Sequence, residues 1–400
     1  MSVPIHGKCD PNFQKIAEAF EQNFINRGEV GGSVCVSIGT ETVVDLWGGY
    51  KAANKKEEWQ EDTISVVFSC TKAATALCAH ILIDRGQLKL DEKVATYWPE
   101  FATNGKEDVT VRMILNHTSA VPAVRAPVKP GGFFDWDYMC KRLEKTKPYW
   151  EPGTANGYHM VTFGWTVGEL VRRVSGKSLG TFFKDEIAVP FGLDFHIGLP
   201  ESEFSRMANM IPFVPGPADL LSDFSKALMS NPMSVQFASL LNNGAWDFNS
   251  KKSWRAEIGG AGGISNARGL AGLFTPLVSG NAPFLSETRI ADMSAPSAET
   301  DKDKNLLIPT RFGQGFMLSM DNRETVPGEG NSAILGARAF GHVGMGGSIG
   351  FADPEPSLAM GYSMIKMGGG ILLNDRGQAL VDAAYQSLGY SKIEDGAWRK

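Results

Sequence analysis

In the stretch VVFSCTKAATALCAHILIDRGQL, which begins at Val66, Ser69 and Lys72 stand three residues apart where an apolar run begins. On a helix, residues i and i+3 share a face about 4.5 Å apart along the axis. The spacing therefore places Ser69 at a helix N-terminus, with the Lys72 side chain pointing back towards its hydroxyl. A serine hydroxyl is a weak nucleophile until a neighbouring base takes its proton. Lysine serves as that base when burial lowers its pKa, because desolvation disfavours the ammonium. Ala73, Ala74, Ala76 and Leu77 supply small and apolar surroundings of that kind. The helix N-terminus adds partial positive charge and free N–H groups where an acyl oxyanion would develop. The same spacing recurs at Ser363 and Lys366, but in a strand-like run, GYSMIKM, where i and i+3 face opposite ways. Spacing alone is insufficient, and the chemistry needs further groups.

Those groups must be brought together by elements whose pattern is legible. Phe13, Ile16, Phe20 and Phe24 recur at helical spacing and predict an amphipathic helix that stops near Gly28. VGGSVCVSIG and ETVVDLWGGY follow and read as a hairpin. From Ser69 to about Phe274 helical signals dominate, separated by Pro- and Gly-rich loops such as RAPVKPGGFFDW. Beyond Arg311 the texture returns to strands in FGQGFMLSM, ARAFGHVG, GSIGFADP and SLAMGYSMIKM, and DRGQALVDAAYQSLG closes the chain as a helix. The simplest assembly is α+β: N- and C-terminal strands share one antiparallel sheet flanked by the terminal helices. Residues 1–400 then form one catalytic domain, with residues 1–68 and 275–400 as an α/β lobe, residues 69–274 as a mainly helical lobe and a cleft between them.

Two further motifs stand in order after Ser69 and Lys72. YWEPGTANGYHMVTFGWTVGELVRRVSG places Tyr158 after a Pro-Gly turn and before an amphipathic helix, and FGHVGMGGSIGFADP places His342, Val343 and Gly344 on a late strand. Together with SCTK, these resemble the Ser-x-x-Lys, Tyr and Lys- or His-x-Gly motifs of the serine β-lactamase and penicillin-binding superfamily. The chain is most similar to the family VIII carboxylesterases, which resemble class C β-lactamases. The resemblance implies a β-lactamase-like fold and acylation of Ser69, with Lys72 and Tyr158 sharing the proton transfers. A phenolate held by lysine is one base that it allows. It also implies an oxyanion hole from the backbone N–H groups of Ser69 and Met345, just past Gly344. His342 would line the site and lend hydrogen-bonding or positive character beside Tyr158. Two departures matter: the second motif reads Tyr158-His159-Met160 without the class C asparagine, and the third reads His-Val-Gly in place of Lys-Thr-Gly. The lost amide and hydroxyl favour an ester over a charged β-lactam.

Rival candidates are weaker. GGSIG, Gly346 to Gly350, matches the nucleophile elbow of α/β-hydrolases, which would make Ser348 the nucleophile. A strand-like run follows it where that elbow needs a helix, and no histidine occurs after His342. His117 reads as a residue closing a helix, His80 as core, and Cys70 as a small buried thiol, while His159 reads equally as cleft or core. Of Phe133, Phe134, Trp136, Tyr138, Tyr149 and Trp150, one or two are expected to wall an acyl or alcohol pocket. No metal-ligand spacing and no phosphate-cradling loop occurs, so no metal or cofactor is expected.

The net charge of −5 gives no footprint for nucleic acid or anionic membrane. The start MSVPIHGKCDPNFQ lacks the layout of a secretory signal, and no apolar run reaches the roughly 18 residues of a spanning helix. Five scattered cysteines read as reduced thiols, so a cytoplasmic enzyme is expected. Its expected partner is a small-molecule ester. The motifs also admit a β-lactamase, a D-amino-acid peptidase or an acyltransferase, and at greater distance an idle binding relative.

Overall fold

The computed structural model describes residues 3–400 except 218, 281, 327, 329, 394 and 395. Its centre is a nine-stranded antiparallel sheet in the order β1-β3-β2-β12-β11-β10-β9-β8-β7. The N-terminal strands are β1 (Ile5–Cys9), β2 (Gly31–Ile38) and β3 (Glu41–Gly49). The later ones are β7 (Ala298–Thr300), β8 (Thr310–Phe312), β9 (Met317–Leu318), β10 (Phe340–Val343), β11 (Ile349–Asp353) and β12 (Leu358–Met364). β2 and β12 join the two ends of the chain, in register from Gly32 opposite Met364 to Ile38 opposite Leu358. β12 is buried along its whole length, as a central strand covered on both faces must be. β1 had no hydrophobic signature because it is an edge strand with three exposed residues in its middle.

Alternation along β2 and β12 sorts the two faces. Val34, Val36, Met360 and Tyr362 share a buried cluster with Phe20 of helix Gln14–Asn26 and Leu380 of helix Asp375–Ser387. Cys35 points the other way, against Ala267 and Ala271 of helix Ala267–Val278. The start of that helix is anchored on the sheet, where the Ala267 N–H donates to Ser33 Oγ at 3.1 Å. Residue 274 lies inside this helix, which packs on β2, β11 and β12 and also places Leu270, Leu273, Phe274 and Leu277 in the core cluster of the helical middle.

The remaining core is helical. Helix Thr71–Asp84 is buried at every position from Thr71 to Leu82, so it has no polar face and runs through the interior. It packs against helix Thr162–Ser175. A small sheet leads into it: β4 (Ser65–Phe68) pairs with β6 (Gly263–Ser265), which pairs in turn with β5 (Phe195–His196). β5 and β6 were not expected from sequence, being too short to show a period of two.

The close seating of helix Ala267–Val278 depends on Gly361 in β12, where a Cβ would lie 2.3 Å from the Ala267 carbonyl oxygen. Gly361→Ala should lower the unfolding free energy by about 1–3 kcal/mol through overpacking. Urea denaturation reads this directly, and an unchanged midpoint would contradict the packing described.

Candidate active site

The turn that carries Ser69 is held by its neighbours. β4 ends at Phe68 with a left-handed φ of +44°, Ser69 and Cys70 form a turn, and the helix begins at Thr71. Ser69 thus stands two residues before the first helical residue. Its carbonyl accepts the Lys72 N–H at 3.0 Å, which sets the one-turn offset that the sequence predicted. Thr71 fixes the unusual backbone: its Oγ1 donates to the Phe68 carbonyl at 2.5 Å and accepts the Gly263 N–H at 2.8 Å. Cys70 faces inward, with its Sγ 3.2 Å from the His342 carbonyl, and burial pushes its thiol up to about 12. It is the inert buried thiol expected.

Lys72 is fully buried. Its Nζ lies 2.9 Å from Ser69 Oγ, 2.6 Å from the Met160 carbonyl and 2.7 Å from the Gly260 carbonyl. Burial holds the amine well below the ordinary lysine value. The Gly260 carbonyl comes this close because helix Thr162–Ser175 carries a glycine at its contact with the 259–263 segment. A Cβ on Gly164 would lie 2.1 Å from the Gly260 nitrogen.

Tyr158 joins the pair. Its phenol faces the same cavity as Ser69 and interacts with it, and Lys72 Nζ lies 4.8 Å from the ring centroid. The ring is stacked on Phe312 at 5.8 Å, with His117 at 4.9 Å and His342 at 5.9 Å. Burial pushes the phenol above its ordinary value of 10. Burial drives the amine and the phenol each towards the neutral form, which weighs against the phenolate held by lysine that the resemblance allowed.

His342 lies beside Tyr158 as expected, but without positive character. Burial brings its imidazole down to about 3. Its Nδ1 is 2.7 Å from the Val343 carbonyl. Just past it, the Gly344 N–H donates to the Ser348 carbonyl at 2.7 Å, closing the turn that presents Met345. Ser348 is buried, and its Oγ donates to the Val67 carbonyl at 3.1 Å, so the Gly-x-Ser-x-Gly match is a structural crossing. Ser363 pairs with Ser33 Oγ at 2.9 Å, while Lys366 is exposed.

Three other histidines, His117, His159 and His80, are structural. His117 follows a short helix at φ +67°, and its Nδ1 accepts the His159 N–H at 3.2 Å. His159 is buried away from the cleft, with Nε2 2.7 Å from Ser119 Oγ. His80 sits in the core against the Gln314 carbonyl at 2.7 Å.

A cavity of about 200 Å³ opens on Ser69, Tyr158 and Met345. Its walls are mostly apolar, including Phe133, Phe224, Trp246 and Phe248, and no charged residue lines it among those described. Of the aromatics singled out before Tyr158, only Phe133 reaches it. Trp246 and Phe248 were missed, although their place in the polar loop NNGAWDFNSKK marks them: aromatics in such a loop need an apolar surface to cover.

Comparison with known proteins identifies relatives of this chain. Residues 14–385 match the Beta-lactamase family model. The esterase/beta-lactamase LipL of Mycobacterium tuberculosis is 32% identical over 363 residues, covering 89% of this chain and 81% of that protein. The crystal structure of a family VIII carboxylesterase superposes with a TM-score of 0.83 at 37% identity, covering 96% of this chain and 100% of the other. A penicillin-binding protein homologue from Caulobacter crescentus gives a TM-score of 0.82 at 34% identity, with coverage of 96% and 100%.

The histidine environments make a pH prediction. His80, His159 and His342 are each held down to about 3 by burial, against 6.5 for the free group. Between those values the unfolded chain binds protons that the folded chain does not. Each histidine therefore removes up to about 1.4 kcal/mol of stability per pH unit as the pH falls below 6.5. Nitrogen-15 shifts at pH 5 should show neutral imidazoles at all three positions, and a protonated signal at His342 would contradict its assigned burial. Separately, Thr71→Val keeps the shape and loses both turn bonds, which should cost about 1–3 kcal/mol in chemical denaturation.

Proposed function

From the premise that the chain belongs to the beta-lactamase family, we propose that it is a serine hydrolase cleaving small, uncharged carboxylic esters through an acyl-enzyme on Ser69. The observation that carries this reading is the set of three contacts at Lys72 Nζ. A neutral amine has two N–H donors and one lone pair. The Met160 and Gly260 carbonyls take the two donors, which leaves the lone pair for the Ser69 hydroxyl. Lys72 then removes the Ser69 proton as Oγ attacks the ester carbonyl. The negative oxygen of the tetrahedral intermediate is received by the backbone N–H groups of Ser69 and Met345, both of which border the cavity. Tyr158, a phenol beside Ser69 whose pKa burial raises, gives its proton to the departing alkoxide and is reprotonated from Lys72. Water, activated along the same path, releases the acid. His342 supports the Tyr158 ring as a neutral imidazole, and Gly344 holds the turn beneath Met345.

Ester specificity is supported by the cavity wall and by the names of the relatives. An acyl or alcohol group bearing a carboxylate meets no described cation there, and burying an unpaired charge is costly. A β-lactamase reading draws on the second half of the LipL name, and weak turnover of β-lactams fits the same nucleophile. A cytoplasmic setting is supported by five free cysteines. Among the described residues, no helix is long and apolar enough to cross a membrane.

Ser69→Ala should lower kcat on p-nitrophenyl butyrate by about a thousandfold or more. Mass spectrometry of the wild type trapped with a phosphonate should place the adduct on the Ser69 peptide. Retained turnover, or an adduct elsewhere, would reject the assignment. Esters of a dicarboxylic half-acid should show kcat/KM at least about a hundredfold below their uncharged counterparts.

A further inference from the structure

Tyr158 lies on a segment without regular secondary structure, residues 155–159, between a turn and the helix that begins at Thr162. Neither a strand ladder nor a helix supplies its backbone partners, which come from two distant places. From one side, the His117 carbonyl accepts the Gly157 N–H at 3.0 Å and the His117 ring accepts the His159 N–H. From the other side come residues 303–305, about 145 positions away along the chain. The Tyr158 N–H is shared between both carboxylate oxygens of Asp303, at 3.1 and 3.0 Å. The Tyr158 carbonyl accepts from Asn305 Nδ2 at 2.7 Å, and the Asn156 carbonyl accepts the Lys304 N–H at 2.9 Å.

Asp303 is fully buried, where a carboxylate persists only if its lone pairs are filled. Its Oδ1 also accepts the N–H groups of Asn305 and Leu306, each at 2.8 Å, and Oδ2 accepts from Thr310 Oγ1 at 3.3 Å. Every partner is a donor. An amide at this position would turn its own N–H groups against one of them. Asn305 is fixed in its turn, since Ser239 Oγ donates to its Oδ1 at 3.0 Å and Gln236 donates to its backbone carbonyl at 3.0 Å. The same loop presents Leu306 to the cavity.

We propose that Asp303 and Asn305 are positioning residues for Tyr158: they hold both backbone polar groups of the tyrosine, and so hold its phenol at the leaving-group side of Ser69. This rests on the reading of Tyr158 as the group that protonates the departing alkoxide. Misplacing such a group by about 1 Å is enough to cost on the order of a hundredfold. The loss depends on the leaving group, because p-nitrophenolate departs without a proton and an alkoxide does not.

The test compares ethyl butyrate with p-nitrophenyl butyrate in the wild type and in Tyr158→Phe, Asp303→Asn and Asn305→Ala. Tyr158→Phe sets the full effect. If it penalises both esters equally, the reading of Tyr158 fails, whatever the other variants do. If it selectively penalises the ethyl ester, Asn305→Ala should lose about tenfold or more in kcat on that ester relative to the aryl ester, with KM within about threefold. Asp303→Asn should lose more. Asn305→Ala removes the side-chain bonds to Tyr158 and Ser239 and keeps the backbone N–H that Asp303 accepts, so it decides the matter should Asp303→Asn fail to fold. Equal losses on both esters in Asn305→Ala, or no loss, would overturn the proposal by reducing the loop to a purely structural role.

Discussion

The chemistry proposed for this molecule depends on one lysine amine kept out of water. In solvent the amine is an ammonium and its lone pair does not exist. At Lys72 the cost of burying a charge works against the ammonium and favours the base form. The surrounding architecture follows from that requirement. The helix carrying Lys72 is buried on all sides, and a glycine contact lets a distant carbonyl reach the nitrogen. In the proposed mechanism the two carbonyls then direct the remaining lone pair at the serine.

The second constraint is the backbone before the helix. Phe68 adopts a left-handed conformation that an aromatic residue does not choose, and the surroundings must impose it. Thr71 does so through two bonds, one back to Phe68 and one across to β6. Strand pairing in the small sheet thereby fixes the direction of Ser69. The sheet is short because its task is local: it aligns the entry to one helix.

Much of the site was legible in sequence because its parts are local. The offset of Lys72 from Ser69 is a helical-turn property, and the apolar run after it already implied burial. The unsuitability of Ser348 as a nucleophile followed from the strand after it, and Ser348 proved buried. Less was legible at Tyr158. Its neighbour His159 was undecided between cleft and core, because a residue in a coil segment has no periodicity from which to read its direction. Ser119 and His117 settled it. Trp246 and Phe248 were passed over for the denser aromatic run before Tyr158, yet they line the cavity. Local density of aromatics does not report which of them face a void.

The sequence alone determined most of the longer elements and their order: a helix, strands, a helical middle, strands and a late helix, with a serine and a lysine one turn apart. Hydrophobic period and turn residues act over a few positions, so they survive being read in one dimension. Tertiary structure decided the protonation states and the convergence. His342 carries no charge because it is enclosed by residues from several distant segments, and Tyr158 meets Ser69 because residues 303–305 clasp its backbone. Desolvation and long-range hydrogen bonds are sums over neighbours in space, and neighbours in space are what a linear chain does not state.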